Sequence, residues 1–543
     1  MKKKFFCIII IIFIFLNSYS FAGDVIVIPS SNIDKWYSTG VFYELYVRSF
    51  KDSNGDRFGD FGGVVEKLDY LKELGITAIW LLPIHPSGEG TDGYDIIDYM
   101  TTNKDYGTLD DFKKLLSEAH NRGMKIIIDF VINHTSIDHP FFQDAVKDPK
   151  SKYRNWYTFK EIKPTTGAWA KFWHGYPKQN PTIFYYGRFV NTKPDLNYFN
   201  PEVLEYMKSY VKFWLDIGVD GFRLDAMTHI AEDETGIDHL PQTFHILREI
   251  RNYVNTNFKD RDIFFVGEAS DQPAKYFGDG DMVHSVFNFK LGPNIIRYVK
   301  NNAPYTSKGE DLIADEVLKY VKDLKGKEGT WWGTLLSNHD AYVGMRPFSQ
   351  LGGDDDKTKL AAALYLTFPG IPFIYYGEEI GMDTIGRQKH DKYLRSCMQW
   401  DDSEFGGFVS GNSKPWGPLN ENYKEYNVKV ESSDKDSILS YYKGLVNIRN
   451  ENKALSLGSY KSLAITKVKE NKYVAAIREY NGEQIIVVHN FSDKVANITV
   501  NTELGGDINN FKLIFGEVSL TFGKKGELNI KKMGAYKTLI LKK

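Results

Sequence analysis

The chain has 543 residues, too many for one ordinary compact core. Its 68 basic and 70 acidic residues nearly cancel, which argues against a nucleic-acid surface or a strongly anionic partner. Aromatic residues supply 15% of the chain; they suit the flat apolar faces of sugar rings, but they also fill cores.

The first 22 residues have the layout of a secretory signal: Lys2, Lys3 and Lys4, an apolar run over 5–16, then small and polar residues ending at Ser20-Phe21-Ala22. The run is too short to span a bilayer comfortably. Cleavage after Ala22 is therefore expected, giving a secreted or periplasmic protein without stable membrane insertion; an uncleaved anchor is the alternative. Cys7 lies at the start of the apolar run rather than after a lipobox-like turn, so it does not read as a lipidation site. Only Cys397 then remains, so the mature chain can form no internal disulfide and must be stabilised by core burial, with or without a metal.

Strand-like and helix-like segments alternate from there on, the pattern of a parallel sheet wrapped by helices. Strands are expected over 41–47, 78–82, 125–130, 221–224, 263–267, 283–289, 332–336 and 372–376, the eight that close a (β/α)8 TIM barrel. Helical periods include 64–74, 109–122, 201–217, 243–257, 311–324 and 357–368. The stretch 135–200 is rich in aromatics, Pro and Gly, shows little helical periodicity, and is too long for a bare loop; it reads as a subdomain inserted after the third strand. A helical pattern over 437–452 gives way to short alternating strands at 474–477, 484–489, 496–500 and 538–541, a C-terminal antiparallel β-sandwich. The expected division is a barrel over 23–134 and 201–455, an insertion over 135–200, and a C-terminal domain over 456–543.

Four segments end apolar runs with polar residues: Ile128-Asp129-Phe130-Val131-Ile132-Asn133-His134, Gly221-Phe222-Arg223-Leu224-Asp225-Ala226, Phe265-Val266-Gly267-Glu268-Ala269 and Leu336-Ser337-Asn338-His339-Asp340. A strand buried on both faces reads as a continuous apolar run, so a carboxylate at its tip stands at the rim where β/α barrels carry out chemistry. One such segment could equally be a capped turn. Side chains repeat every second residue along a strand, so Arg223 faces the same way as Asp225 and is expected to keep it ionised. The apolar approach Phe264-Phe265-Val266-Gly267 is expected to raise the Glu268 carboxyl.

Together these segments resemble the signature regions of the α-amylase family of glycoside hydrolases, family 13. Glycosidic cleavage needs one ionised and one protonated carboxyl. The resemblance implies Asp225 as nucleophile, Glu268 as general acid/base and Asp340 as the third acid that binds and distorts the sugar, with retention of the α-anomer. It further implies that His134 and His339 bond sugar hydroxyls, that Tyr94 stacks on the cleaved ring beside Arg223, and that His229 serves the leaving-group side. The insertion would be the family's domain B.

The run Asp52-Ser53-Asn54-Gly55-Asp56-Arg57-Phe58-Gly59-Asp60 places oxygen side chains at every second position with one gap, which suits a hard cation such as Ca2+; the alternative is a solvated acidic turn. An EF-hand would need Gly at Arg57 and Glu at Gly63. The run resembles a calcium loop that follows the first barrel strand in oligosaccharide-cleaving branches, which implies Asp52, Asn54, Asp56, Asp60 and the Phe58 carbonyl as ligands. A second calcium site between barrel and domain B would use Asn133, Asp195 and the backbone carbonyl of His229.

By the same resemblance, Thr91 stands where exo-acting α-glucosidases usually carry an Asp that grips the non-reducing end. Ala226 matches α-1,4-cleaving members, and Thr228 replaces a Lys common in endo-amylases. Lys193-Pro194-Asp195-Leu196-Asn197 resembles the branch between oligo-1,6-glucosidases and neopullulanases. The expectation is a monomeric, exported α-amylase that cuts internal α-1,4 links in starch-like glucans and maltooligosaccharides. An α-glucosidase or a cyclomaltodextrinase/neopullulanase-type enzyme is the alternative; a non-catalytic interaction domain is opposed by the presence of all three acids.

Overall fold

The structure, a computed structural model, describes residues 25–26, 35–88, 92–411, 413–466, 468 and 470–543. The expected signal over 1–22 and Thr91 lie outside the described residues. Eight parallel strands close a barrel: β1 (Phe42–Leu45), β2 (Ala78–Leu81), β3 (Lys125–Val131), β4 (Gly221–Asp225), β5 (Phe264–Gly267), β6 (Ser285–Phe287), β7 (Trp331–Thr334) and β8 (Ile371–Tyr375). Each neighbours the next in chain order, and β1 pairs with β8 to close the ring. Lys125 is the one strand residue that is not buried, which is why these segments read as unbroken apolar runs.

The helices follow their local signals. Pro201–Ile217 begins on Pro, is capped by the Asn200 side chain accepting from the Glu202 N–H, and ends at Gly218 with φ 119°. The helix expected over 64–74 starts earlier and breaks at Lys67, giving Phe61–Glu66 and Leu68–Leu74; Asp60 caps the first by accepting from the Gly63 N–H. Inside the barrel the Trp80 ring stacks on Phe287 at 5.3 Å and lies 5.2 Å from the Arg223 guanidinium, so a packed aromatic layer supports the strand tips from below.

The insertion holds a three-stranded antiparallel sheet from Phe159–Lys160, Trp173–Tyr176 and Ile183–Tyr186. It also holds a helix, Pro140–Lys147, that the sparse periodicity did not announce; His139 caps it and Pro140 opens it. Backbone bonds from Leu196 N–H to the Asn133 carbonyl and from Thr135 N–H to the Pro194 carbonyl tie the insertion back to the end of β3. The C-terminal domain is a five-stranded and a four-stranded antiparallel sheet that share one core, including Ile486, Val488, Ile498, Val500, Leu528 and Leu541. No helix among the described residues is long and apolar enough to cross a membrane.

Candidate active site

The strand tips bring Asp225, Glu268 and Asp340 together around Arg223, whose side chain is fully buried. Arg223 and Asp225 sit two residues apart on β4, so both point inward. Arg223 Nη1 donates to Asp225 Oδ1 at 2.7 Å and to Asp129 Oδ1 at 2.8 Å, while Nη2 donates to Glu268 Oε2 at 2.7 Å. The planar fork of the guanidinium spans all three acids, holding two on one nitrogen and the third on the other. Ala226, directly after Asp225, takes the left-handed conformation (φ 47°), and its N–H donates to Glu268 Oε2 at 3.1 Å. A Cβ at Gly267 would lie 2.2 Å from Met227 Sδ, so a larger residue there would displace the buried Met227 side chain.

The directions of the shifts differ from the expectation that Arg223 keeps Asp225 ionised and that an apolar approach raises Glu268. Burial pushes the Asp225 carboxyl well above its usual range, and Arg223 offsets that only in part. Burial acts on Glu268 in the same direction, but Arg223, the Ala226 N–H and the Tyr342 hydroxyl outweigh it and hold Glu268 below its usual value. The physical reason is the division of the fork: Asp225 shares its nitrogen with Asp129, whereas Glu268 has one to itself. Asp129 is pushed up to about 6 by burial, and Asp340 to about 7 by burial and then by the charge of Glu268. Asp340 accepts from Arg395 Nη2 at 3.0 Å.

Tyr94 lines the pocket, and its hydroxyl bonds Asp129 Oδ2 at 3.0 Å and His339 Nε2 at 2.7 Å. His339 is fully buried and does not line the pocket; its Nδ1 is 2.6 Å from Glu44 Oε1, and its ring stacks on Tyr94 at 5.6 Å. It is therefore placed as a support beneath Tyr94. His134 does line the pocket, with Nε2 2.9 Å from the Tyr94 carbonyl, and burial keeps its imidazole neutral by lowering it to about 3. His229 lines the pocket too, with Nδ1 3.0 Å from both Glu232 Oε1 and Asp238 Oδ1.

The pocket has a volume of about 360 Å3. Its wall includes five residues that the sequence did not place there: Asp92, Phe189, Lys193, Ser270 and Tyr342. Asp92 lies between Lys193 Nζ (3.5 Å) and Arg395 Nη1 (3.3 Å); burial opposes its ionisation, but the two cations prevail and hold it below the usual range. Asp129 was visible as a charge inside the apolar run of β3. Arg395, Tyr342 and Phe189 come from irregular segments, where no periodicity marks which way a side chain points.

In the acidic run, Asp52 accepts from the Asn54, Gly55 and Arg57 N–H groups, Asn54 from Asp56 N–H, Asp56 from Phe58 N–H, and Asp60 from the Ser53 and Gly63 N–H groups. The loop thus closes on itself, and among the described residues no three His, Cys, Asp or Glu side chains converge as a metal centre. The junction with domain B differs. Asn133 Oδ1, Asp195 Oδ2 and Glu232 Oε2 are all buried without a hydrogen-bond partner, beside a small cavity walled by Asp195, His229 and Glu232. Three unsatisfied buried oxygens, two of them on carboxyl groups, fit a hard cation.

Comparison with known proteins gives the family and the fold. The alpha amylase catalytic-domain family matches residues 44–458. Alpha-amylase 3 of Dictyoglomus thermophilum is 36% identical over the whole of both chains. The oligo-1,6-glucosidase of Parageobacillus thermoglucosidasius is 33% identical, covering 84% of this chain and 91% of that one. The crystal structure of the α-amylase from H. orenii superposes with a TM-score of 0.77 at 35% identity, covering 93% and 99% of the two chains.

Proposed function

Since this chain belongs to the α-amylase family of glycoside hydrolases, we propose that it hydrolyses internal α-1,4-glucosidic bonds of starch-like glucans and maltooligosaccharides with retention of configuration. The observation that carries the stereochemistry is the shared guanidinium. Asp225 and Glu268 both bond Arg223 at 2.7 Å, which gathers the two carboxyls about one cation and favours the close spacing of retaining enzymes, about 5–5.5 Å, over the roughly 6.5–9.5 Å of inverting ones. Asp225 then attacks the anomeric carbon while Glu268 protonates the leaving oxygen; Glu268 next takes a proton from the water that releases the sugar from Asp225. Asp340, held in place by Arg395, binds the ring being cleaved, with Tyr94 as its floor.

These roles need Asp225 ionised and Glu268 protonated when substrate is bound, and Arg223, which bonds both, can offset the charge of the ionised one. The full-length similarity to an α-amylase favours endo action on α-1,4 links. A second reading, an α-glucosidase, is favoured by Asp92, whose carboxylate stands in the pocket wall between Lys193 and Arg395 and could grip a chain end in place of the residue expected at Thr91. A product profile from soluble starch separates the two: a ladder of maltooligosaccharides supports endo hydrolysis, and glucose alone supports the second reading.

Calcium belongs to the proposal. Asn133, Asp195, Glu232 and the His229 carbonyl would hold one ion at the barrel–insertion junction, and Asp52, Asn54, Asp56, Asp60 and the Phe58 carbonyl a second. The first is supported by the three unpartnered oxygens, the second by the oxygen spacing of the loop. When bound, the junction ion would cross-link segments distant in sequence and the loop ion would rigidify one turn, and neither would supply a chemical step. Export is supported by the basic and apolar layout of residues 1–22.

A further inference from the structure

The two oxygens of Glu268 are not equivalent. Oε2 accepts from two fixed donors, Arg223 Nη2 at 2.7 Å and the Ala226 N–H at 3.1 Å. A proton on Oε2 would face both of these donors, so the proton that Glu268 delivers must sit on Oε1. Oε1 accepts one bond, 3.0 Å from the Tyr342 hydroxyl. Tyr342 is 48% exposed and lines the pocket; its ring packs edge-on against Phe289 at 5.5 Å. A phenol can donate or accept, so this hydroxyl can follow Glu268 through both protonation states.

We propose that Tyr342 is a positioning residue for Glu268: its hydroxyl keeps Oε1 turned into the pocket, at the point where the leaving-group oxygen takes its place. This rests on the proposed role of Glu268 as general acid. Tyr342 lies two residues beyond Asp340, so the segment that supplies the third acid also orients the proton donor. Before substrate enters, the phenol holds the donor oxygen in register. As the glycosidic oxygen arrives, the half-exposed tyrosine yields Oε1 by rotating on Phe289, and it regains Oε1 once the leaving group departs.

The other charges around Glu268 are Arg223 and Asp225 from β4, Asp129 from β3 and Asp340 beyond β7. The Tyr342→Phe variant touches none of them and keeps the ring on Phe289. Removing one hydrogen bond to a charged group should move the basic limb of kcat/KM on a maltooligosaccharide upward by about one pH unit. Turnover of the maltooligosaccharide should fall severalfold, with a change of less than about twofold on an α-glycosyl fluoride, whose leaving group needs little protonation. A basic limb that stays in place, or equal losses on both substrates, overturns the proposal. Glu268→Gln is run in parallel. If it spares the fluoride and disables the maltooligosaccharide, the acid role stands and the Tyr342→Phe result judges Tyr342 alone; if both substrates suffer equally, the acid role falls and the proposal with it.

Discussion

Replacing Arg223 with Met removes the one cation that Asp129, Asp225 and Glu268 share, while the buried volume stays similar. Arg223 is fully buried, and breaking a buried ion pair from one side costs about 3–5 kcal/mol because the partner is left uncompensated. Three acids are left here rather than one, and they relax by taking up protons, which caps the loss near that range and makes it depend on pH. Asp129 is already raised to about 6 in the folded protein, against roughly 3.9 in an unfolded chain. An acid raised in this way holds more protons folded than unfolded, so its contribution to stability falls as pH rises through that interval. Without Arg223 the interval extends to higher pH. The Met variant should therefore unfold at lower denaturant concentration than the parent, with the deficit larger at pH 8 than at pH 5. Tryptophan fluorescence during denaturant titration reports it, since Trp80 lies against the guanidinium. A deficit below about 1 kcal/mol, or one that is the same at both pH values, would refute the reading of Arg223 as a shared counter-ion.

Asp225→Asn keeps the shape of the side chain and removes the nucleophile, so kcat on starch should drop at least about a thousandfold with the unfolding profile preserved; more than a tenth of parental turnover rules out the assignment. Chelation should lower the melting temperature, because an ion bound only by the folded state stabilises by mass action. Asp195→Ala should remove most of the response that comes from the junction, and Asp56→Ala that from the loop; identical melting with and without chelator, in a protein free of bound calcium, defeats both sites. Gly267→Ala forces a Cβ to within 2.2 Å of Met227 Sδ beside Glu268, so it should cost about 1–3 kcal/mol and reduce kcat together with stability, and a variant of parental stability and activity would show that this close approach is unimportant.

The barrel was legible because its strands are buried on both faces, so apolar runs and polar tips mark the same register that the structure shows. The three acids were legible for the same reason, each ending or following such a run. What sequence periodicity misses lies in irregular backbone. Tyr342, Asp92 and Phe189 reach the pocket from loops, and Arg395 reaches Asp92 and Asp340 behind its wall, where facing is set by tertiary packing. The directions in which the Asp225 and Glu268 carboxyls are shifted were not legible, because on paper Arg223 looks like the partner of Asp225 alone, since only those two share a strand face. The partition of its two nitrogens among Asp129, Asp225 and Glu268 depends on how β3, β4 and β5 sit side by side. Glu232 likewise escaped notice because it meets Asn133 and Asp195 only across the junction of barrel and insertion.

Proton NMR during the first minutes of hydrolysis of a maltoheptaoside blocked at its non-reducing end tests endo cleavage and retention in one experiment. The account predicts that the blocked chain is cut internally and that every new reducing end appears first as the α-anomer, turning to the equilibrium mixture only by later mutarotation. New ends that appear first as the β-anomer, or a blocked substrate left intact while unblocked chains release glucose, would contradict it.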